Sequence, residues 1–195
     1  MKKFELKTHY KKILADTISP VSVYLKVRDK FPNSILLESS DYHGNDNSFS
    51  YICCNPIASI KVENSIVTKT YPDHSTESKA VPSDKVTLEI NAFTTQFETQ
   101  KDTSFKFINN GMFGFTAYDA VKYFEDITIS KKYDSIEIPE IYYAVYQNII
   151  AIDHFKNEAY IFAHCYGSES NIDAIDHLIK AQSFSSYDFE SKGSI

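Results

Sequence analysis

Two apolar runs near the C-terminal end constrain the fold more than any other feature of the chain. Pro139–Ile152 and Glu158–Tyr166 are rich in Tyr, Ile, Val and Phe, which favour β-strands. Asp153–Asn157 lies between them with the polar residues of a turn, so the pair predicts an antiparallel hairpin. The first run is almost continuously apolar, which indicates a strand that is covered on both faces. We therefore expect a sheet with this strand near its centre.

The rest of the chain alternates between strand-like and helical patterns. Apolar positions recur at helical spacing after Pro20, Ser83 and Ser170, and these starts offer a capping hydroxyl or a proline suited to the first turn. Antiparallel hairpins with interspersed helices predict a single α+β domain over residues 1–195, with mostly antiparallel β-sheet packed against helices. The remaining predicted strands are Phe4–Asp16, Ser34–Ser40, Ser48–Cys54, Ile57–Val62 and Ser65–Tyr71.

Three segments are expected to punctuate these strands. Asn55-Pro56 is a turn-forming dipeptide, and we expect it to end the strand that begins at Ser48. A hairpin turn is expected at Glu63-Asn64. Pro72–Pro82 is polar throughout, so we expect a loop there.

Composition excludes several classes of function. The formal net charge is -6 for 195 residues, so the basic surface typical of nucleic-acid-binding proteins is not expected. No apolar run approaches the length of a membrane span, and Met1–Glu5 lacks the apolar stretch of a signal peptide. The three cysteines suit reduced thiols in a reducing compartment. We therefore expect a cytoplasmic protein that binds neither nucleic acid nor membrane.

The residues that usually carry catalysis form no recognisable pattern. The six histidines stand at no metal-ligand spacing, and neither a phosphate loop nor a G-x-G-x-x-G unit occurs. His164 and Cys165 are neighbours, but adjacent residues of a strand point to opposite faces, so they do not predict a catalytic pair. The sequence predicts no catalytic residue, no metal site and no cofactor within this chain.

The stretch Ser34–Ser40 is the clearest candidate for ligand binding. Its apolar Ile-Leu-Leu run passes directly into Glu38, Ser39 and Ser40. Such a strand places a carboxylate and hydroxyls at the rim of the core, where they can receive the ammonium group of a small polar ligand. The alternative is an ordinary strand end that passes into a solvated turn. These residues alone favour the alternative.

A second informative stretch surrounds Gly111 and Gly114. The two glycines flank an apolar strand and permit another backbone to approach closely. Asp119 is suited to cap a short helix that carries Lys122 and Glu125. By itself this pattern indicates a structural role.

Together these stretches resemble the N-terminal domain of component I of anthranilate synthase, among the chorismate-utilising enzymes. Pro20 with its helix and Asn33–Ser39 are similar to the family's helix and Leu-Leu-Glu-Ser motif. Ser48–Ile52 and Asn55-Pro56 are similar to its Arg-Tyr-Ser-Phe-Ile-Gly segment and the proline that follows. Gly111–Glu125 is similar to its Gly-Gly-x-x-Gly-Tyr-x-x-Tyr-Asp-x-Val-Arg-x-x-Glu motif. The motifs follow the family's order and spacing.

Some positions depart from the family pattern. Asn110 stands where the family usually has the first glycine of its third motif. Phe115 replaces a tyrosine and Lys122 replaces an arginine. Cys54 replaces a small residue near a strand end, and Phe49 stands where some relatives have lysine.

The resemblance implies an enzyme that converts chorismate, with ammonia from glutamine, into anthranilate and pyruvate, the first committed step of tryptophan synthesis. In the family, the N-terminal domain holds much of the feedback site for L-tryptophan. Carried over to this sequence, Leu37, Glu38 and Ser39 line that site, and Phe49 and Ser50 border it from the adjacent strand. Glu38 would attract the ammonium group of tryptophan, and Ser39 would bond it or shape the pocket.

The resemblance also implies which parts of the enzyme lie elsewhere. Chorismate and Mg²⁺ bind in a C-terminal catalytic domain, and a glutamine amidotransferase subunit, component II, supplies the ammonia. Residues 1–195 would then form a single N-terminal regulatory domain that is inactive alone and has no cofactor of its own.

Two other interpretations remain open. Component I of aminodeoxychorismate synthase, the folate-pathway relative, shares this domain, and the product of the full-length protein would distinguish it. A free-standing module that binds a small molecule or a partner, with no enzyme attached, is the other. The reading frame downstream of Ile195 would test that interpretation.

Overall fold

The computed structural model describes residues 2–38, 48–99, 104–127, 129 and 138–181. Within these ranges strands and helices alternate along the chain. The strands are β1 (Phe4–Leu14), β2 (Ile35–Glu38), β3 (Phe49–Glu63), β4 (Ile66–Thr70), β5 (Thr76–Ala80), β6 (Phe97–Thr99), β7 (Met112–Thr116), β8 (Ile141–Asp153) and β9 (Glu158–Cys165). The α-helices are α1 (Pro20–Arg28), α2 (Val86–Thr94) and α3 (Ile172–Lys180), and 3₁₀ helices cover Ser83–Lys85 and Tyr118–Tyr123.

The described strands form one large sheet that is mostly antiparallel. Its main path runs β5-β4-β3-β8-β9-β1-β6, while β2 pairs with β3 and β7 pairs with β8. Among the described strands, β1 and β6 form the parallel pair, and the other pairs are antiparallel. The prediction of an α+β fold built on a mostly antiparallel sheet is therefore confirmed.

Strand β8 lies at the centre of this sheet, as its apolar run predicts. β3 runs along one edge of β8, and β7 and β9 share the other edge. The residues Ala144–Asp153 are all buried. Because both faces of β8 are covered, apolar residues are required at consecutive positions rather than at alternate ones. The predicted hairpin is confirmed, since β8 pairs with β9 across the turn that follows Asp153.

The dipeptide Asn55-Pro56 does not end a strand, so that prediction is wrong. β3 continues through it and is 15 residues long. Asn55 has a φ of 58°, a left-handed conformation that asparagine tolerates. The register against β8 shifts between Pro56 and Ala58. The dipeptide therefore forms a β-bulge, which bends the strand while keeping it in the sheet.

The loop expected at Pro72–Pro82 is also wrong, because this segment contains β5. Every residue of β5 is exposed, so the strand buries no apolar face and its composition gives no strand signal. The buried ammonium of Lys69 in β4 lies 3.1 Å from the Glu77 carboxylate of β5 and 2.7 Å from Glu89 of α2. These ion pairs join the edge hairpin to the helix.

The short helix expected after Gly114 is a 3₁₀ helix, and Asp119 does not cap it. Ala117 occupies the N-cap position, with no side-chain cap bond. Lys122 and Tyr123 instead donate hydrogen bonds to the carboxylate of Glu140, just before β8. The helix is therefore anchored by its end rather than by its start.

Helices α1 and α3 cover one face of the sheet. Val27 and Ile175 pack there against Ile52, Cys54 and the β9 core. The opposite face carries an aromatic layer that contains Cys53, Phe113, Tyr146, Phe162 and the rings of Phe105 and Phe107. The adjacent cysteines thus belong to opposite faces, as the alternation of a strand requires. No helix within the described ranges is long and apolar enough to cross a membrane.

Candidate functional site

The last residues of β2 lie beside the first residues of β3, at an edge of the sheet. Leu37 and Glu38 pair with Tyr51 and Ser50. Leu37 is 37% exposed and Glu38 is also exposed, whereas Ser50 is 1% exposed. The structure therefore brings predicted site residues from two strands together and sets an exposed acid beside a buried hydroxyl. We name Leu37, Glu38, Phe49 and Ser50 the β2 end.

The β2 end divides between the two faces of the sheet. Because directly paired residues point to the same face, Glu38 and Ser50 share the face that the helices cover. Leu37 and Phe49 point to the aromatic face. The remaining predicted residue, Ser39, lies outside the described residues. A ligand that touched both halves of the β2 end would have to lie across the edge of the sheet.

The buried hydroxyl of Ser50 is held by a histidine. Its Oγ lies 2.7 Å from Nε2 of His154, and the backbone N–H of His154 donates to the carbonyl of Ser48 at 3.1 Å. If Ser50 donates its proton to the imidazole, its oxygen keeps lone pairs that can accept a bond from a ligand. His154 therefore orients one of the predicted site residues.

Glu38 supplies the charge of the β2 end. No ion pair between described residues involves its carboxylate. An ion pair formed at such an exposed position contributes little because water and salt screen it. A ligand that covered the pair would exclude water and strengthen the attraction.

A second opening lies where the sheet divides. β7 pairs with Ile141–Val145 of β8, and β9 pairs with Asn148–Asp153 on the same edge. The two strands diverge between these segments, and a cavity of about 160 Å³ opens there, which we name the fork cavity. It is lined by Leu6, Thr94, Phe97, Thr99, Asn110, Gly111, Met112, Val145 and His164.

The fork cavity has a polar wall built around His164. Nε2 of this ring lies 2.9 Å from the carbonyl oxygen of Asn109, so Nε2 must carry the hydrogen. Nδ1 then accepts from the hydroxyl of Thr8 at 2.9 Å. His164 is 2% exposed, and burial lowers its pKa below the ordinary value. The ring is therefore neutral near pH 7, and its two nitrogens are satisfied.

The described residues offer no group of metal ligands, and the Cys53 and Cys54 thiols are not activated. They contain no group of three or more His, Cys, Asp or Glu side chains that could hold a metal ion. Burial raises the pKa of the Cys54 thiol to about 12 and that of Cys53 well above its ordinary value. Such thiols stay protonated at neutral pH and are poor nucleophiles.

The sequence does not reveal His154 or the fork cavity. His154 lies 104 positions from its partner Ser50, and no local spacing connects them. The lining of the cavity comes from segments scattered between Leu6 and His164. The one local signal of the cavity is Asn110. The family usually has glycine at this position, and here the asparagine side chain forms a hydrogen bond with Thr99.

Relatives of known function cover about four-fifths of the chain, although no protein-family model matches it. Anthranilate synthase component 1 of Lactococcus lactis is 31% identical over 152 residues, which are 78% of this chain and 31% of the relative. The Thermus thermophilus protein of the same name is 27% identical over 158 residues, 81% of this chain and 32% of the relative. Aminodeoxychorismate synthase component 1 of Bacillus subtilis is 26% identical over 162 residues, 82% of this chain and 32% of the relative. The chain is therefore similar to part of the large subunits of these two synthases.

These similarities confirm the resemblance to component I of anthranilate synthase that the three motifs indicate. The chain spans about a third of the length of the curated relatives it matches. A crystal structure of anthranilate synthase component I from Streptococcus pneumoniae covers 87% of this chain and 35% of that chain, with 24% identity and a TM-score of 0.46.

Proposed function

We propose that this chain is the N-terminal regulatory part of an anthranilate synthase component 1 subunit, and that its β2 end contributes to a feedback site for L-tryptophan. The observation that supports this most directly is the register of Glu38 against Ser50 in a chain whose relatives are component 1 proteins. The pairing sets a carboxylate for an ammonium group beside a hydroxyl that His154 orients.

The proposed regulation is a coupling between two sites. Tryptophan would favour one arrangement of the subunit and chorismate another, so each weakens the binding of the other. The reaction itself, the Mg²⁺ it needs and the contact with the glutamine amidotransferase, component II, are proposed for the part of the subunit outside this chain. By itself the chain would be inactive, and the complete enzyme would act in the cytoplasm.

Binding of L-tryptophan can be measured directly by fluorescence. The chain contains no Trp, so the indole emission of added tryptophan reports on the ligand alone when excitation avoids its 14 Tyr residues. We expect a saturable change in emission. Glu38→Gln should weaken binding about tenfold, because a neutral amide cannot pair with the ammonium group.

Glu5→Gln is the matched control, since Glu5 is also an exposed glutamate of a strand. It should leave binding unchanged. The same two variants in the product of the complete reading frame should respectively relieve and preserve inhibition by tryptophan. Equal affinity and equal inhibition in the Glu38 and Glu5 variants would exclude the β2 end from the feedback site.

Aminodeoxychorismate synthase component 1 is the second candidate, favoured by the Bacillus subtilis relative at 26% identity. The product that the complete reading frame forms from chorismate distinguishes the two. We expect anthranilate, and formation of aminodeoxychorismate would replace the first proposal by the second.

A further inference from the structure

The fork cavity has a wall that the family pattern does not supply. Asn110 stands in place of a glycine, and its Nδ2 donates to Oγ1 of Thr99 at 3.0 Å. Gly111 follows with a φ of 128°, a backbone conformation that L side chains rarely adopt. This bond connects the residues that precede β7 to the end of β6. The Asn110 side chain thus ties together two segments that line the cavity.

Among the residues that the structure describes, the lining of the cavity carries no formal charge. None of its lining residues is Asp, Glu, Lys or Arg. Burial lowers the pKa of His164, so the ring is neutral near pH 7; its Nε2–H donates to the Asn109 carbonyl, and its Nδ1 then accepts from Thr8. A carboxylate or an ammonium group that entered would lose its hydration without gaining an ionic partner, which is costly. The lining therefore selects against charged ligands, L-tryptophan included.

The size of the cavity limits the ligand to one ring. Its volume of about 160 Å³ is close to the ~150 Å³ of an apolar cavity that accommodates benzene. Leu6, Phe97, Met112 and Val145 provide apolar contact. The hydroxyl of Thr99 accepts from Asn110 and still has its own hydrogen to donate. A single ring with one oxygen substituent matches both properties.

We propose that the fork cavity binds a small uncharged ring compound of about the size of phenol, with its ring against Phe97 and Val145 and its oxygen bonded to the Thr99 hydroxyl. This site is separate from the β2 end and differs from it in ligand charge. A ring bound there adds contacts between β6, β7 and β8, so the ligand stabilises the divided part of the sheet.

Phenol is the probe for this site, and NMR of the isotope-labelled chain locates its binding. We expect saturable shifts of the backbone amides of Thr99, Gly111 and Met112, together with a higher Tm. Benzoate and benzylammonium have similar rings but carry charge, so they should shift these amides at least tenfold less at equal concentration. Phenol shifts confined to other residues, or equal shifts from the charged rings, would overturn the proposal.

Two variants distinguish obstruction of the cavity from a general loss of structure. Thr94 is an exposed lining residue, so Thr94→Phe should obstruct the cavity and weaken phenol binding about tenfold. Thr95→Phe places the same ring one residue away, at an exposed position that does not line the cavity, and should leave binding unchanged.

Asn110→Gly restores the family residue and tests the polar wall independently. It should also weaken phenol binding about tenfold, since the Thr99 hydroxyl loses the partner that orients it. Phenol affinity that stays unchanged in both Thr94→Phe and Asn110→Gly would overturn the proposal.

Discussion

The β2 end and the fork cavity both lie where a strand of the sheet ends, yet they differ in charge and in exposure. Glu38 at the β2 end is an exposed carboxylate at an edge of the sheet. The fork cavity lies inside the sheet, and its His164 is 2% exposed and neutral. One place therefore attracts a charged ligand and depends on that ligand to exclude water. The other is only partly open to solvent, and its described lining offers no charged partner.

This difference in charge and exposure follows from what surrounds each strand where its pairing ends. Among the described strands, β2 pairs with β3 alone, so its exposed Glu38 can form hydrogen bonds with water. At the fork, β7 and β9 separate within a covered sheet, so the polar groups there must find protein partners. The bonds from His164 to Asn109 and from Asn110 to Thr99 meet that requirement. Strand pairing ends at both sites, but the β2 end is left with a solvent-exposed charge and the fork cavity with neutral, paired polar groups.

The largest expected effect is a loss of stability caused by a substitution in β7, one of the two strands that diverge at the fork cavity. A Cβ added to Gly114 would stand 2.8 Å from Cα of Tyr143 and closer still to the backbone of Tyr142. Gly114→Ala should therefore push β7 away from β8 and lower the free energy of unfolding by about 3 kcal/mol, measured by urea denaturation. Gly167→Ala is the control, since Gly167 has open space around it and a φ of 62°, and should cost only about 1 kcal/mol. Equal losses would contradict the close approach of β7 to β8.

A smaller effect is expected from the polar wall of the fork. His164→Ala leaves the Asn109 carbonyl without its donor and creates a cavity at a buried position, and it should lower the free energy of unfolding by about 2 kcal/mol at neutral pH. The loss should shrink on acidification. Because burial lowers the pKa of His164 in the folded state, the unfolded chain binds this proton first as pH falls below the ordinary value of 6.5. The wild-type protein therefore loses stability in that window, down to the lowered pKa, and the alanine variant does not.

Denaturant midpoints of both proteins at about pH 7.5 and about pH 5.5 measure this difference. These values lie above the range where carboxylates titrate. Parallel shifts of the two midpoints would mean that His164 does not carry the acid sensitivity.

At the β2 end, the buried hydroxyl gives a moderate effect. Ser50→Ala removes the bond to His154 and should cost about 1 kcal/mol of unfolding free energy, again by urea denaturation. Ser78→Ala removes an exposed bond to Thr68 and should cost about 0.5 kcal/mol or less. A larger loss at Ser78 than at Ser50 would show that the His154 contact is not a stabilising bond.

Salt should produce the smallest effect and should distinguish the two sites. Raising the salt concentration from about 0.05 M to about 0.5 M should weaken tryptophan binding roughly threefold, because ions screen the exposed Glu38 charge. Phenol binding should not weaken, since neither the described lining of the cavity nor the ligand is charged. Titrations of each ligand at both salt concentrations test this, and the opposite dependence would reverse the assignment of the sites.

Periodicity in the sequence was enough to predict the centre of the fold. The apolar run of β8 and the apolar stripe of α3 reflect burial, because buried positions require apolar residues. The bulge at Asn55-Pro56 and the edge strand β5 were mispredicted because pairing with a neighbouring strand decides them, and local residues carry little sign of it. The 3₁₀ helix at Tyr118 is held by Glu140, which lies outside its own motif.

The candidate sites divide in the same way. Glu38 and Ser50 could be named from the sequence because each belongs to a short motif. His154, the partner of Ser50, could not be named, because contact across 104 positions has no local signature. The fork cavity is even harder to predict from the sequence, because its walls come from segments that meet only in the folded sheet.

One NMR experiment tests the central claim that the β2 end and the fork cavity are separate sites for ligands of different charge. L-Tryptophan and phenol are titrated in turn into the same labelled chain. Tryptophan should shift the amides of Glu38 and Ser50, and phenol should shift those of Thr99, Gly111 and Met112. Shifts of one common set of amides by both ligands would contradict the claim.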